Sequence, residues 1–342
     1  MDNIKFALVG CGRIAKRHAE HIANVGTLVA ACDTIEQRAK ELASGYGCGH
    51  FTSLEEMLAR KPEIDVVSVC TPNGLHADHS MLAFTAQKHV ICEKPMAIRA
   101  EDCTRMIEAA RRVEKHLFIV KQNRFNPPVV ALKKAVDEGR LGKIFNVQLN
   151  CFWNRGNDYY RESDWKGRMH MDGGTLFTQF SHFIDLIYWI AGDVMRVYAL
   201  TGNFLHEGII EFEDTGVIAL EFKNGALGTI NYTVNSNKKN MEGSITVFGE
   251  KGTVKVGGQY LNVLEYQSID DYAIADIPQS RPANEYGFYQ GSMSNHDKVY
   301  QNVIDVLNGR AKIATTAEEG QKTVAIIERI YACAVGGNRT PR

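Results

Sequence analysis

Residues 10–15 read Gly10-Cys11-Gly12-Arg13-Ile14-Ala15, set between a β-branched run, Ile4–Val9, and a helical pattern over 13–25. A G-x-G-x-x-A turn between strand and helix constrains this chain more than any other feature. The first glycine permits a tight turn, and the second lets a dinucleotide diphosphate approach the backbone. The small Ala15 lets the helix close on the strand, and the helix N-terminus favours the phosphate charge. Asp33 follows the second strand, Leu28–Cys32, at the spacing of an acceptor for ribose hydroxyls. A carboxylate there repels a 2′-phosphate, so NAD is expected rather than NADP. The expected contacts are Gly10, Gly12, Arg13, Ile14 and Asp33. The competing reading is a glycine turn that packs and binds nothing.

The first third continues the alternation. Helical patterns at 35–44, 75–87 and 100–115 separate strand-like runs at 65–70, 89–92 and 117–121. This order predicts a parallel sheet with right-handed crossovers. Near residue 122 the pattern changes, and Pro127-Pro128 stops a straight continuation. A helix over 129–138 precedes longer strands at 144–153, 194–202, 216–223, 226–234, 243–249, 252–256 and 260–266. Hairpin-like turns such as Asn224-Gly225 divide several of them. Helices over 174–191, 295–309 and 317–335 are expected to cover one face. The predicted fold class is α/β: a Rossmann domain over 1–122, then an α+β domain over 123–342 with a large, open, mostly antiparallel sheet.

Charge narrows the choice of partners. Among 342 residues, 39 Lys and Arg face 40 Asp and Glu, a net charge of −1. No electrostatic case exists for nucleic acid or an anionic membrane as the main partner. The N-terminus shows no signal-peptide pattern, and the apolar stretch 176–191 is short and contains His182 and Asp185. The eight cysteines form no C-x-x-C pair, which argues for free thiols in a reducing cytoplasm and against a disulfide or zinc framework. A cytoplasmic location without a metal is therefore expected.

Ligands of open α/β sheets bind beyond the carboxyl ends of the strands. Two loops there carry unusual residues: Thr71-Pro72-Asn73-Gly74-Leu75-His76, and Glu93-Lys94-Pro95. A partly desolvated Lys94 beside a nicotinamide would accept a hydroxyl proton or bind the developing alkoxide. The alternative is a surface lysine paired with Glu93.

GCGRIA, Asp33, CTPNGLH and above all CEKP resemble the Gfo/Idh/MocA oxidoreductases over nearly the whole chain. The resemblance implies tightly held NAD or NADP, a catalytic Lys94, and dimers or tetramers built through the C-terminal sheets. It adds Thr71, Asn73, His76, Glu93, Lys94, Trp165 and Lys166 to the expected cofactor contacts. In the glycine-started segment 173–185, His182 falls where the family carries its second catalytic group, and helical spacing puts Thr178, His182 and Asp185 on one side. Many members carry Asp one turn earlier, where this chain has Thr178 and then Gln179. The proton chemistry is thus expected to rest on Lys94 and His182, with Gln179 orienting substrate.

The segment RGNDYY, then WKG and TQFSHFIDL, resembles the WlbA/WbpB subgroup, which oxidises the 3-hydroxyl of UDP-N-acetylglucosaminuronic acid for bacterial surface polysaccharide such as lipopolysaccharide O-antigen. Such a substrate carries a carboxylate and a diphosphate, so Arg and Asn donors suit it. Arg155, Asn157, Tyr159 and Tyr160 are expected against the substrate, the tyrosines covering a uracil or sugar face. Arg124, Asn126 and His296 are further candidates, each equally a structural cap. Some relatives reoxidise bound NADH with a 2-oxo acid, which makes such an acid an expected second substrate. Rival functions are dehydrogenation of a free sugar or inositol, NAD-dependent glycosidic cleavage, and NAD-binding regulation.

Overall fold

The computed structural model describes residues 3–280, 282–285 and 290–335. The chain forms two compact units. One comprises the residues up to Lys121 together with His296–Val324, and the other Gln122–Asn295 with the chain from Ala325.

The first unit opens with β1 (Lys5–Val9), α1 (Ala15–Val25), β2 (Thr27–Cys32), α2 (Glu36–Tyr46), β3 (Gly49–Phe51) and α3 (Leu54–Arg60). It continues with β4 (Val66–Val69), α4 (His76–Thr85), β5 (His89–Cys92), α5 (Ala100–Arg112) and β6 (Leu117–Ile119). All pairings are parallel, in the order β3-β2-β1-β4-β5-β6. The order reverses between β1 and β4, and the switch opens a crevice at the carboxyl ends of those two strands. Phe6, Ala7, Leu8, Val66, Val67, Val90 and Ile91 are fully buried, as unbroken apolar runs in a parallel sheet require. The short β3 and α3 escape a reading of periodicity. The start of α3 still carries a cue: Ser53 Oγ accepts the Glu56 N–H at 3.1 Å, half of a capping box.

The second unit contains α6 (Pro127–Asp137), β7 (Ile144–Phe152), α7 (Asn157–Arg161), α8 (Met169–Asp172), α9 (Thr175–Thr178) and α10 (Ser181–Ala191). Strands β8 (Val194–Gly202), β9 (Thr215–Phe222), β10 (Leu227–Thr233), β11 (Glu242–Gly249), β12 (Gly252–Gly257) and β13 (Val263–Ile269) follow. They form a mixed, mostly antiparallel sheet in the order β13-β12-β11-β7-β10-β9-β8, with Ala334–Val335 added beside β8. The β7–β10 pair is parallel. Helix α10 packs against β7. On the open face Tyr198, Leu200, Val217 and Leu227 are more than half exposed, and the strand register places them together.

The single helix expected over 174–191 is two helices, broken at Gln179 and Phe180. Gln179 turns its amide to Arg155 and Tyr159, and Phe180 enters an aromatic cluster with Trp153, Phe183 and Tyr232. Thr178, His182 and Asp185 therefore do not share one continuous helical face. The chain then forms α11 (His296–Leu307), which packs on α1 within the first unit, and α12 (Ala317–Cys333). No helix among the described residues is long and apolar enough to cross a membrane.

Candidate active site

In the first unit the glycine turn joins β1 to α1. Gly10 has φ +88°, and a Cβ there would lie 2.7 Å from the backbone of Cys70 and Thr71 at the end of β4. Gly12 differs: a Cβ there meets nothing within 4 Å. Packing explains the first glycine, whereas the second leaves a cradle that a Cβ would fill, and that cradle fits the approach of a diphosphate. Arg13 is exposed and Ile14 half-buried, both preceding the first turn of α1. Asp33 braces this turn. Its Oδ2 accepts the Cys11 N–H and its Oδ1 the Ile35 N–H, both at 2.8 Å. Each oxygen keeps a lone pair for a further donor.

The β4 and β5 loops are built differently. His76 is buried, with Nδ1 2.7 Å from Pro95 O and Nε2 2.8 Å from Thr71 O. The ring stands between the carbonyls of the two strand-end loops and donates to one of them from whichever nitrogen carries its proton, so bracing occupies the residue expected against a cofactor. Burial pushes its imidazole below the usual range, against the backbone bonds to Pro95 and Thr71. Thr71 Oγ1 lies 3.0 Å from His79 Nδ1, and Asn73 is buried in the 3-10 turn before α4.

Lys94 is half-buried, and its peptide with Pro95 is cis. Glu93 does not contact outward as expected. Its Oε1 lies 2.9 Å from His18 Nε2 and 3.3 Å from His296 Nε2, and its Oε2 accepts the Lys94 N–H at 3.0 Å. His296, expected against substrate, is fully buried on this carboxylate because α11 folds back onto α1. No sequence spacing joins residues 18, 93 and 296.

In the second unit several expected substrate donors are turned inward. Arg124 is buried and bidentate on Asp185, with Nε–Oδ2 2.7 Å and Nη2–Oδ1 2.8 Å, its guanidinium over Trp189. Asn126 is fully buried, donating to Tyr260 O and Leu261 O and accepting from Asn295 Nδ2 at 2.7 Å. Both residues hold the fold at positions read as candidates for substrate. Tyr159 and Tyr160 are also buried, in an apolar cluster with Ile210 and Phe212. Their rings cover no open face: Lys166 Nζ stands 3.7 Å above Tyr159, the Arg155 guanidinium 5.3 Å from it, and His206 lies edge-on to Tyr160. Polar residue types in a loop-like sequence hide how many of them face inward.

Arg155 is itself buried. It donates to Gln179 Oε1 at 2.7 Å, to Asn154 O, to Asn240 Oδ1 and to Gln290 O. Gln179 bridges onward, donating to Tyr159 Oη at 2.8 Å. Asn157 is exposed at the start of α7, and Trp165 and Lys166 are half-buried between α7 and α8. Thr178 Oγ1 donates to the carboxylate of Asp172, which also accepts the Gly167 N–H. An acid thus stands beside Thr178 after all, supplied from six residues upstream.

His182 is buried near the N-terminus of α10. Gln122 Nε2 lies 3.1 Å from His182 Nε2 and donates also to Ser292 Oγ at 2.9 Å. The amide of Gln122 thus faces the imidazole edge to edge, and the ring's tautomer decides which of the two donates. Gln122 is a residue that sequence reasoning passed over as part of a domain boundary. Its one signal is a buried amide directly after the last strand of a sheet.

Residues 4–121 match the oxidoreductase family with an NAD-binding Rossmann fold, Gfo/Idh/MocA, and residues 129–255 match the Gfo/Idh/MocA C-terminal domain. The WlbA dehydrogenase of Bordetella pertussis, crystallised with NADH and UDP-GlcNAcA, is 39% identical. That match covers 97% of this chain and 96% of that one at a TM-score of 0.86. The WlbA dehydrogenase of Chromobacterium violaceum, crystallised with the same ligands, is 37% identical over 97% of this chain and 94% of that one, with a TM-score of 0.89. The myo-inositol 2-dehydrogenase of Thermotoga maritima is 30% identical over 73% of this chain and 74% of its own length.

Proposed function

The chain belongs to the Gfo/Idh/MocA family of NAD-dependent oxidoreductases, and from that premise we propose that it oxidises the 3-hydroxyl of UDP-N-acetylglucosaminuronic acid. The observation that carries this reading is the 37–39% identity, over 97% of the chain, to two WlbA dehydrogenases crystallised with that sugar. The inositol dehydrogenase shares less of the chain and less identity. A place in bacterial surface polysaccharide synthesis, lipopolysaccharide O-antigen included, follows from the same reading, as does a cytoplasmic location.

The turn Gly10–Ile14 would take the diphosphate and Asp33 the ribose hydroxyls, with Thr71 and Asn73 at the neighbouring strand end. When bound, NAD supplies the hydride acceptor. Lys94 takes the proton of the reacting hydroxyl, and its half-buried setting limits the water that competes for the amine. His182 is the second proton-handling group, with the Gln122 amide against its Nε2. Lys166, Trp165 and Asn157 remain the candidates of the 155–166 loop for ligand contact. A 2-oxo acid is proposed as the reoxidant.

The test uses the purified protein with UDP-N-acetylglucosaminuronic acid, UDP-N-acetylglucosamine, free glucuronic acid and myo-inositol, each with and without 2-oxoglutarate. Nicotinamide absorbance and product mass are recorded. The uronic nucleotide sugar alone is expected to yield a product two mass units lighter, and Lys94→Ala to slow its formation at least about a hundredfold. Turnover of myo-inositol with none of the UDP-sugar would overturn the reading.

A further inference from the structure

Gln122 opens a 3-10 turn, Gln122–Phe125, that packs on α10 and on the strand Gln290–Met293 of the second unit. Asn295 Nδ2 donates to the Gln122 carbonyl at 3.3 Å, which fixes the main chain and leaves rotation to the side chain. The buried carboxamide places Nε2 3.1 Å from His182 Nε2 and 2.9 Å from Ser292 Oγ. Its other end, Oε1, is buried too and meets no hydrogen-bond partner among the described residues. On the 3-10 turn, β7 and α9, which pack on α10, the ionisable groups are Arg124 and Cys151. Arg124 is bidentate on Asp185 of α10, and burial pushes the Cys151 thiol well above its usual range. The side chain printed against His182 Nε2 is therefore a neutral one.

A carboxamide has a donor end and an acceptor end of nearly the same shape, and a half-turn about its last torsion exchanges them. With Nε2 inward, Gln122 donates to a His182 ring whose Nε2 holds a lone pair, and also donates to the Ser292 hydroxyl. With Oε1 inward, it accepts from a His182 Nε2–H and from the same hydroxyl, which can donate or accept. Each orientation makes two bonds and leaves one amide end bare. Leaving a buried polar group unpaired is costly, so a fixed donor on Oε1 would have locked the amide one way round. Its lack of a partner keeps the two orientations comparable. The second orientation suits a neutral ring with its proton on Nε2 and suits the imidazolium equally. A proton that arrives at Nδ1 of that ring forms an N–H bond there and adds one positive charge, while the Nε2–H bond to Gln122 stays as it was.

We propose that Gln122 is a positioning residue for His182: its carboxamide turns end for end to bond the imidazole Nε2 whether that nitrogen donates or accepts, so the ring gains and loses a proton without losing its anchor. The proposal rests on the reading of His182 as a proton-handling group, and it names the residue that lets a buried imidazole change state in place. A carboxylate at this position would favour the charged ring alone, and an apolar side chain the neutral ring alone.

The experiment is hydrogen–deuterium exchange at the histidine C2 position of the full chain across pH, with the His182 peptide read by mass spectrometry. The pH dependence of that exchange gives the midpoint of the one ring. It requires no sugar, so a wrong substrate assignment leaves it interpretable. Gln122→Glu keeps the shape and puts an anion in the same contact, and the His182 midpoint is expected to rise by at least about one pH unit. Gln122→Leu offers no bond to either ring form, so burial opposes the charge unrelieved and the midpoint is expected to fall by about one unit. Should Gln122→Leu prove insoluble, Gln122→Met removes the same bond with the same expected shift. Ser292→Ala removes the amide's second partner but leaves the contact with His182, and is expected to move the midpoint by less than about 0.3 units. A midpoint unmoved by Gln122→Leu or by Gln122→Glu overturns the proposal. So does a Ser292→Ala shift as large as that of Gln122→Leu, which would trace the midpoint to the packing of the cluster instead of the amide.

Discussion

At Gly10 the backbone adopts φ +88°, and an added Cβ would press on the Cys70 carbonyl and the Thr71 nitrogen, neither of which can move without opening β4. Two residues later Gly12 has open space in the same direction of growth. The same substitution at the two positions should therefore fail in different ways. Gly10→Ala is expected to cost at least about 1–2 kcal/mol from the left-handed backbone alone, and to lower the melting temperature. Gly12→Ala is expected to melt like the parent but to bind NAD at least about tenfold more weakly, because the methyl enters the path of the diphosphate. Calorimetric melting and titration with NAD separate the two, and a Gly12→Ala protein with unchanged affinity would contradict the reading of this turn.

Helix α9 is pinned at its first turn by a buried acid and two tyrosines. Tyr331 Oη accepts the Leu176 N–H at 3.0 Å and donates to Glu213 Oε1 at 2.8 Å, and Tyr232 Oη donates to the same oxygen at 3.0 Å. Burial raises the Glu213 carboxyl from its ordinary 4.5 to about 8, against the bonds from those tyrosines. Between those two values the folded protein keeps a proton that the unfolded chain has released, so stability falls as pH rises through the interval. Below it both states are protonated, and above it both are ionised. Glu213→Gln is expected to remove this contribution, a slope of up to about 1.4 kcal/mol per pH unit, when denaturant unfolding is compared from pH 5 to pH 8. Parallel slopes for the two proteins would show that Glu213 is already ionised in the fold. The element scale also shows what was legible beforehand. Lys94 stands out because its motif directly follows the buried run of β5, and His182 because the family resemblance marks its position in the glycine-started segment. The break at Gln179 was hidden, since Leu176, Phe177, Phe180 and Phe183 keep the apolar pattern running while the backbone turns. For a related reason the sequence left Arg124 and Asn126 open between cap and substrate contact, and put Tyr159 and Tyr160 on an open face where the fold buries them. Residue type tells what a side chain can bond, but Asp185, the acid that occupies Arg124, lies 61 positions further along.

An apolar patch lies on the open face of the second unit's sheet. Leu200 pairs with Val217 across β8 and β9, Tyr198 with Ala219, and Leu227 with Glu221 across β9 and β10. Leu200 is 61% exposed and Val217 54%. An antiparallel sheet commonly turns a polar face to water, and alternation places Asn231 and Thr229 there too, so large aliphatic side chains among them mark a contact surface. A strand face of this kind is self-complementary under a two-fold axis. We propose that a second copy of the chain covers it, the route to dimers or tetramers that the family resemblance implies. Leu200→Glu places a charge in the middle of that face and leaves the buried side of β8 untouched. Multi-angle light scattering is expected to give a multiple of the 38.2 kDa chain mass for the parent and a smaller species for the variant, with NAD binding retained because the Rossmann unit is unaltered. A monomeric parent, or a variant of unchanged mass, would mean that something other than a second copy covers this face.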